Sequence, residues 1–274
     1  MVKVKSSDPV SPAAFGILLI GDELLSGKRT DKHQARVIEL LDQRGLELSW
    51  SLTVGDDPER LTETLRWTLA RGDVVFSFGG IGATPDDRTR QCAAAAAGVP
   101  MAIHPEGRAE LEAVFGERTY PQRIQMVNWP EGASPIPNPV NRVPGFSFGS
   151  HHFVPGFPTM AWPMIEWVLD YRYASDAPSE RALEYRLEAR DAAESDLIDA
   201  MNDVIAAHPE VRLSCLPNAS GRRVIEFGLR GAPAEAAAAY QRLAGHLDML
   251  NVVWRALAAP AMQQTGTGSR NIGA

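Results

Sequence analysis

Two hydrophobic patterns take turns along the first hundred residues. The run Phe15-Gly16-Ile17-Leu18-Leu19-Ile20 is continuous rather than alternating, as expected of a strand covered on both faces of a parallel sheet. It breaks at Gly21-Asp22-Glu23. Asp31 then reads as a helix N-cap, with Ala35, Ile38 and Leu41 at helical spacing up to Gly45, a C-cap. Leu46 to Val54 reads as a second strand ending in Gly55-Asp56-Asp57-Pro58. Asp57 is placed to cap a helix that has Pro58 at its first position and runs to about Arg71. A third short strand, Asp73 to Ser77, leads into Gly79-Gly80-Ile81-Gly82-Ala83-Thr84, with a helix expected from Pro85 to Ala97. This rhythm is that of repeated βαβ units. Ligands of such sheets sit at the carboxyl ends of the strands, and all three Gly/Asp loops fall there.

From Pro130 to Pro158 the chain turns to Pro, Gly and Asn, which punctuate short strands. A helix from Thr159 to Tyr171, with Trp162, Ile165, Val168 and Leu169 on its buried face, closes the first domain. After a linker at 174–178 the pattern restarts. Ala182 to Ala189 alternates, with Leu183, Tyr185 and Leu187 inward. Helices are expected at Glu194 to Ala207 and Pro233 to Asp248, and strands at Val211 to Leu216 and Val224 to Leu229 around a turn at Pro217 to Gly221. The order β-α-β-β-α predicts a small ferredoxin-like α+β domain. The expected fold is therefore α/β, a three-layer α/β/α domain with a mostly parallel sheet over 15–173, followed by a small α+β domain over 179–257. Residues 1–14 and 258–274 read as tails, the second as disordered.

Composition narrows the class. The 274 residues are 45% hydrophobic and 22% charged, an ordinary globular balance, and the formal charge is -7. That charge argues against a general nucleic-acid binder. It does not exclude small anions, because converging backbone N–H groups overcome a global negative charge locally. Cys92 and Cys215 stand far apart with no CxxC spacing, so they read as buried thiols in a reducing compartment. No signal-peptide pattern and no membrane-length apolar run is present. The expected location is cytoplasmic, with no membrane partner.

The Gly79-to-Asp87 loop is the main chemical signal. Its glycines let the backbone approach a ligand and aim successive N–H groups at it, and the helix that follows offers its dipole. Thr84 is placed to donate to a phosphate or to cap that helix. Asp86 and Asp87 read as first-turn acids. No Lys-Ser/Thr pair follows, so this is not a Walker loop. The second loop, Gly21-Asp22-Glu23-Leu24-Leu25-Ser26-Gly27, offers paired carboxylates that suit a divalent ion or, equally, a solvated turn. Asp56 and Asp57 stand under the same two readings. His33 reads as a surface residue or one at the pocket mouth. Of His151 and His152, at most one points to a pocket if they lie in a strand.

Taken in order, Gly21 to Gly27 with Asp31, Val54-Gly55-Asp56-Asp57, Gly79 to Thr89, Pro130-Glu131-Gly132-Ala133, Asn138-Pro139-Val140, Pro144-Gly145-Phe146 and Val154 to Pro158 resemble the CinA N-terminal branch of the MoaB/Mog molybdopterin-binding superfamily. The resemblance spans Phe15 to Leu169, and the remainder resembles the small domain that follows in CinA proteins. The chain stops before the position of their C-terminal amidase domain, so deamidation is not implied. The resemblance implies a phosphate or pyrophosphate cradle at Gly79, Gly80 and Gly82 with Thr84. It further implies ligand-binding roles for Gly21, Asp22, Glu23, Ser26, Gly27 and Asp31, a pocket wall at Pro155 and Gly156, catalytic roles for Asp56 and Asp87, and a divalent metal such as magnesium at Asp22 and Asp87. The implied ligand is a phosphorylated small molecule, with molybdopterin among the candidates, and the implied assembly is a homo-oligomer, dimer or trimer. Three readings follow: a metal-dependent ADP-ribose pyrophosphatase, a protein of molybdenum cofactor biosynthesis that binds or adenylylates molybdopterin, or a non-catalytic nucleotide-binding module. Ala83, Pro85, His33 and Asn141 depart from the usual family residues.

Overall fold

The computed structural model describes residues 14–176, 178, 180–217 and 223–258. The chain divides into two compact units, Met1–Ala177 and Pro178–Ala274. The elements of the first are β1 (Phe15–Ile20), α1 (Asp22–Leu25), α2 (His33–Asp42), β2 (Leu48–Val54), α3 (Pro58–Arg71), β3 (Val74–Phe78), α4 (Thr89–Ala97), β4 (Met101–Ile103), α5 (Pro105–Phe115), β5 (Asn128–Pro130), β6 (Ser134–Ile136), β7 (Gly145–Phe148), β8 (His151–Val154) and α6 (Pro158–Arg172).

The main sheet has the order β2-β1-β3-β8-β7-β6. Its first four strands are parallel, and β7 and β6 add an antiparallel edge. The continuous run of β1 is explained by burial on both sides. Ile17 and Leu19 pack with Phe76, Val37 and Leu40 of α2 and Ile165 and Val168 of α6. Leu18 and Ile20 pack with Val75, Leu61 and Leu65 of α3, Ala93 of α4 and Leu111 of α5. Helices thus cover both faces, the expected three-layer α/β/α arrangement. On the second face Trp129, Phe146 and Phe153 stack at centroid spacings of 5.5 and 4.5 Å, and each buried aromatic contributes about 2 kcal/mol. Edge strand β2 alternates half-buried and exposed positions.

Local signals place several helix ends. The Asp57 side chain accepts from Arg60 N with Pro58 in the first turn. Gly45 turns with φ +72° while Leu46 N donates to Leu41 O, a C-terminal lock that needs the left-handed region. Other expectations need correction. The buried face of α2 is His33, Val37, Leu40 and Leu41, while Ala35 and Ile38 face solvent. Trp162 is only partly buried, and Ala161 and Met164 complete the inner face of α6. Helix α4 begins at Thr89 rather than Pro85, because Gly80, Thr84 and Asp87 bond within a tight loop instead of a helical turn.

The second unit holds β9 (Leu183–Arg190), α7 (Ile198–Ala207), β10 (Arg212–Pro217), β11 (Val224–Gly231), α8 (Pro233–Met249) and β12 (Val253–Leu257). Its antiparallel sheet has the order β10-β11-β9-β12. Strand β12, not read in the sequence, completes the βαββαβ order of a ferredoxin-like domain. Leu187, Ala189, Ile225, Phe227 and Leu229 pack under Val204 of α7 and Leu243 of α8. Leu183, expected inward, is exposed at the end of β9. The expected turn residues at 218–221 and nearly all of the C-terminal tail lie outside the described residues.

Candidate functional site

Because β2, β1, β3 and β8 run parallel side by side, their carboxyl ends and the loops after them share one rim. At β1 and β2 the loops are laced together. Gly21 N donates to Val54 O at 3.0 Å. Asp22 N donates to Asp56 Oδ2 at 3.0 Å, and Asp56 N donates to Asp22 Oδ1 at 3.2 Å. Each carboxylate therefore accepts the other's backbone amide, leaving Asp22 Oδ2 and Asp56 Oδ1 outside this exchange. Burial, reinforced by the negative charges of Asp22, Glu23 and Asp86, raises the Asp56 carboxyl above its ordinary range.

The glycine loop leaves β3 next door. Gly79 N donates to Val154 O of β8 at 3.1 Å. Gly79 sits at φ +106°, and a Cβ there would lie 2.5 Å from Ile20 O, so only glycine fits between the two strand ends. Three carbonyls of the loop are taken by the start of α4. Thr89 Oγ1 donates to Gly79 O and Thr89 N to Gly80 O, both at 3.0 Å, and Arg90 Nη2 donates to Gly82 O at 2.6 Å. Among the described residues nothing accepts from the N–H groups of Gly80, Ile81, Gly82 or Ala83. Further along, Asp87 Oδ2 accepts from Thr84 N at 2.9 Å and from the Thr84 hydroxyl. Thr84 is thus latched to Asp87 and does not cap α4, and Asp87 lies before the helix rather than in its first turn.

The loop after β8 separates two clefts. The first, about 400 Å³, is lined by Ile20, Glu23, Arg29, Asp31, Lys32, His33, Phe78 and Gly156, among others. His33 is buried, stacks on Phe78 at 4.2 Å and bonds Gly156 O through Nε2 at 3.2 Å. Burial lowers its pKa, and a neutral ring facing a carbonyl places the proton on Nε2. The second cleft, about 340 Å³, is largely apolar, with Ile81, Phe115, Met126, Phe157 and Met160 beside Gly82, Ala83 and Pro155, and Asn138, Asn141 and Arg123 as polar members.

Of the residues singled out in the sequence, Gly21, Asp22, Glu23, Asp56, Gly79, Gly80, Gly82, Pro155 and Gly156 come to the shared rim. Asp31 lines the first cleft and accepts from His33 N and Gln34 N, the capping role expected of it. Ser26 and Gly27 lie in the exposed turn after α1 and line neither cleft. His151 and His152 are both fully buried and start β8, the strand end opposite the rim, so neither belongs to the site. Sequence reading missed Phe78, Asp86 as a neighbour in charge to Asp56, and above all Arg90. Arg90 is 2% exposed, and burial pulls its pKa down to about 10 despite the charge of Asp87. An arginine three residues after Asp87 was the available signal.

Among the described residues no three His, Cys, Asp or Glu side chains gather closely enough to hold a metal ion. Asp22 and Asp56 nonetheless offer hard oxygen donors. Magnesium-type ions are held by one or two carboxylates with substrate phosphates and water completing the shell, so this pair fits an ion that arrives with its phosphate ligand better than a resident one.

Residues 16–174 match the family model described as a probable molybdopterin binding domain. A protein of Pyrobaculum calidifontis is 29% identical over 75% of this chain and 81% of its own length. A CinA-like protein of Citrifermentans bemidjiense is 36% identical over 55% of this chain but only 38% of its own length. Among solved structures, the protein CinA of unknown function from Thermoplasma acidophilum superposes with a TM-score of 0.54 and 27% identity, over 58% of this chain and 98% of that one. The chain accordingly belongs to the molybdopterin-binding domain family of MoaB and Mog, in its CinA-like branch.

Proposed function

We propose that this protein binds a small phosphorylated ligand at the strand-end rim and hydrolyses a nucleotide pyrophosphate of the ADP-ribose type. The observation that carries the reading is the run of four successive backbone N–H groups, Gly80 to Ala83, without an acceptor, set beside the Asp22–Asp56 pair. Ile81 is buried and Gly80 and Gly82 are half-buried, with Ala83 at the exposed end; N–H groups shielded from water seek partners, and a concave run of them is an anion-binding nest. The apolar cleft at Ile81, Phe115 and Phe157 suits a planar ring attached to that phosphate.

Asp56, with its raised carboxyl, takes the proton of a water as its oxygen bonds to phosphorus. The bridging P–O bond breaks, and the leaving phosphate carries away the negative charge. The nest amides stabilise the charge that builds on the equatorial oxygens. Asp22, together with the phosphate oxygens of the ligand, would hold a divalent ion, which when bound supplies charge neutralisation to the phosphates.

The test is incubation with ADP-ribose and magnesium or cobalt, with AMP measured. Release of AMP that disappears in Asp56→Asn supports the reading. Tight nucleotide binding without turnover would leave a binding module. A second reading, molybdopterin handling, draws on the family match itself. It expects pterin fluorescence to co-purify with the protein and ADP-ribose to remain intact.

A further inference from the structure

We propose that Thr89 and Arg90 are positioning residues which hold the glycine loop in its anion-binding form by gripping its carbonyls from behind. The inference rests on the nest reading above and says what makes the nest. In a trans peptide the carbonyl of one residue and the N–H of the next point in opposite directions, and the loop contains no cis bond. Thr89 Oγ1 fixes Gly79 O, so Gly80 N–H is turned away from α4. Thr89 N fixes Gly80 O, which turns Ile81 N–H the same way, and Arg90 Nη2 fixes Gly82 O, which turns Ala83 N–H outward. Two adjacent residues at one helix start thus set the direction of three amides.

Two independent features fit a grip rather than a chance contact. Gly80 has φ +67°, and a Cβ there would lie 2.1 Å from Thr89 Oγ1, so the hydroxyl occupies the space a side chain would need. Arg90 is almost wholly buried, and its Nε has no partner among the described residues. Burying a guanidinium that is only partly satisfied is costly, and the described bond it makes is to the loop.

The test measures binding of inorganic pyrophosphate by calorimetry to the full-length wild type, Thr89→Val, Thr89→Ser, Arg90→Met and Arg90→Lys, each with its thermal midpoint. Loss of one positioning hydrogen bond is expected to weaken binding about tenfold in Thr89→Val and Arg90→Met. Thr89→Ser, which keeps the donor, should stay within about twofold of wild type by the same reasoning. In the nitrogen-15 spectrum, pyrophosphate should move the amides of Gly80, Ile81 and Ala83 in wild type and Thr89→Ser, and much less in Thr89→Val. If Thr89→Val or Arg90→Met fails to fold, Arg90→Lys carries the comparison: it lacks the Nη2 that holds Gly82 O, so pyrophosphate should move the Ala83 amide less than in wild type, and an equal movement overturns the grip. Equal binding by all five proteins, or failure of serine to restore what valine loses, overturns the grip while leaving the nest standing. No binding by wild type overturns the nest, and the grip with it.

Discussion

Single atoms decide most of the site. Gly82 is a case where space rather than φ is the constraint, because a Cβ would lie 2.4 Å from Asp87 Oδ2. Gly82→Val should therefore push the Asp87–Thr84 latch apart and reduce nucleotide affinity by tenfold or more, on the order of the loss of one charge-assisted hydrogen bond. Unchanged affinity by titration would contradict the cradle. Asp87 reads in the sequence as a first-turn acid. Its bonds to Thr84 N and Oγ1 give it a second task, so Asp87→Ala should cost about 1 kcal/mol of stability as well as activity, read by urea denaturation. Asp56 makes a pH prediction. Its carboxyl lies above the ordinary range, so a general base at this position loses activity as pH falls through that raised value. The acid limb of the rate profile should thus sit above that of an exposed aspartate. A limb at the usual carboxylate position would remove Asp56 from the role.

Elements carry the stability that the loops draw on. Strand β8 begins with His151 and His152, both fully buried. His151 bonds Thr68 Oγ1 at 2.9 Å, while His152 lies between Ser147 Oγ at 2.8 Å and Tyr173 OH at 2.7 Å. Burial lowers them to about 4 and about 3, and pushes Tyr173 up to about 12. Below about pH 6.5 the unfolded chain takes up protons on these histidines and the folded one does not. Stability is thus complete above that pH and declines as pH falls toward 4. The urea midpoint should drop between pH 7 and pH 5, and His151→Gln should drop less over the same interval. An equal drop would mean that other groups govern the acid limb. Helix α3 offers a simpler check. Asp57→Ala removes the cap on Arg60 N and should cost about 1 kcal/mol, with Asp56 left in place.

At the scale of the molecule, every residue of the proposed site belongs to the first of the two compact units. A chain ending after Asp176 is expected to fold and to bind pyrophosphate with wild-type affinity, measured by circular dichroism and calorimetry. A folded product that has lost binding would show that residues beyond Asp176 contribute to the site. No helix among the described residues is long and apolar enough to cross a membrane. Much of this architecture was legible beforehand. The uninterrupted run from Phe15 to Ile20 announces a strand covered twice, and Asp57-Pro58 and Gly45 announce helix ends, because these signals act within a few residues of where they are written. The Gly/Asp loops announced a rim for the same reason, since parallel strands leave their carboxyl ends on one side. Other features depend on who arrives from elsewhere in the chain. Ile38 and Val37 have equal claim to the core until α6 packs on α2. Asp87 reads as a helix acid until Thr84 folds back on it. Nothing near Arg90 in the sequence marks it for burial until the carbonyl of Gly82 meets it inside. Periodicity and local backbone preference thus wrote the elements and their ends into the sequence, while only tertiary contact could decide which polar groups were to be buried and paired, since their partners lie on other loops and strands.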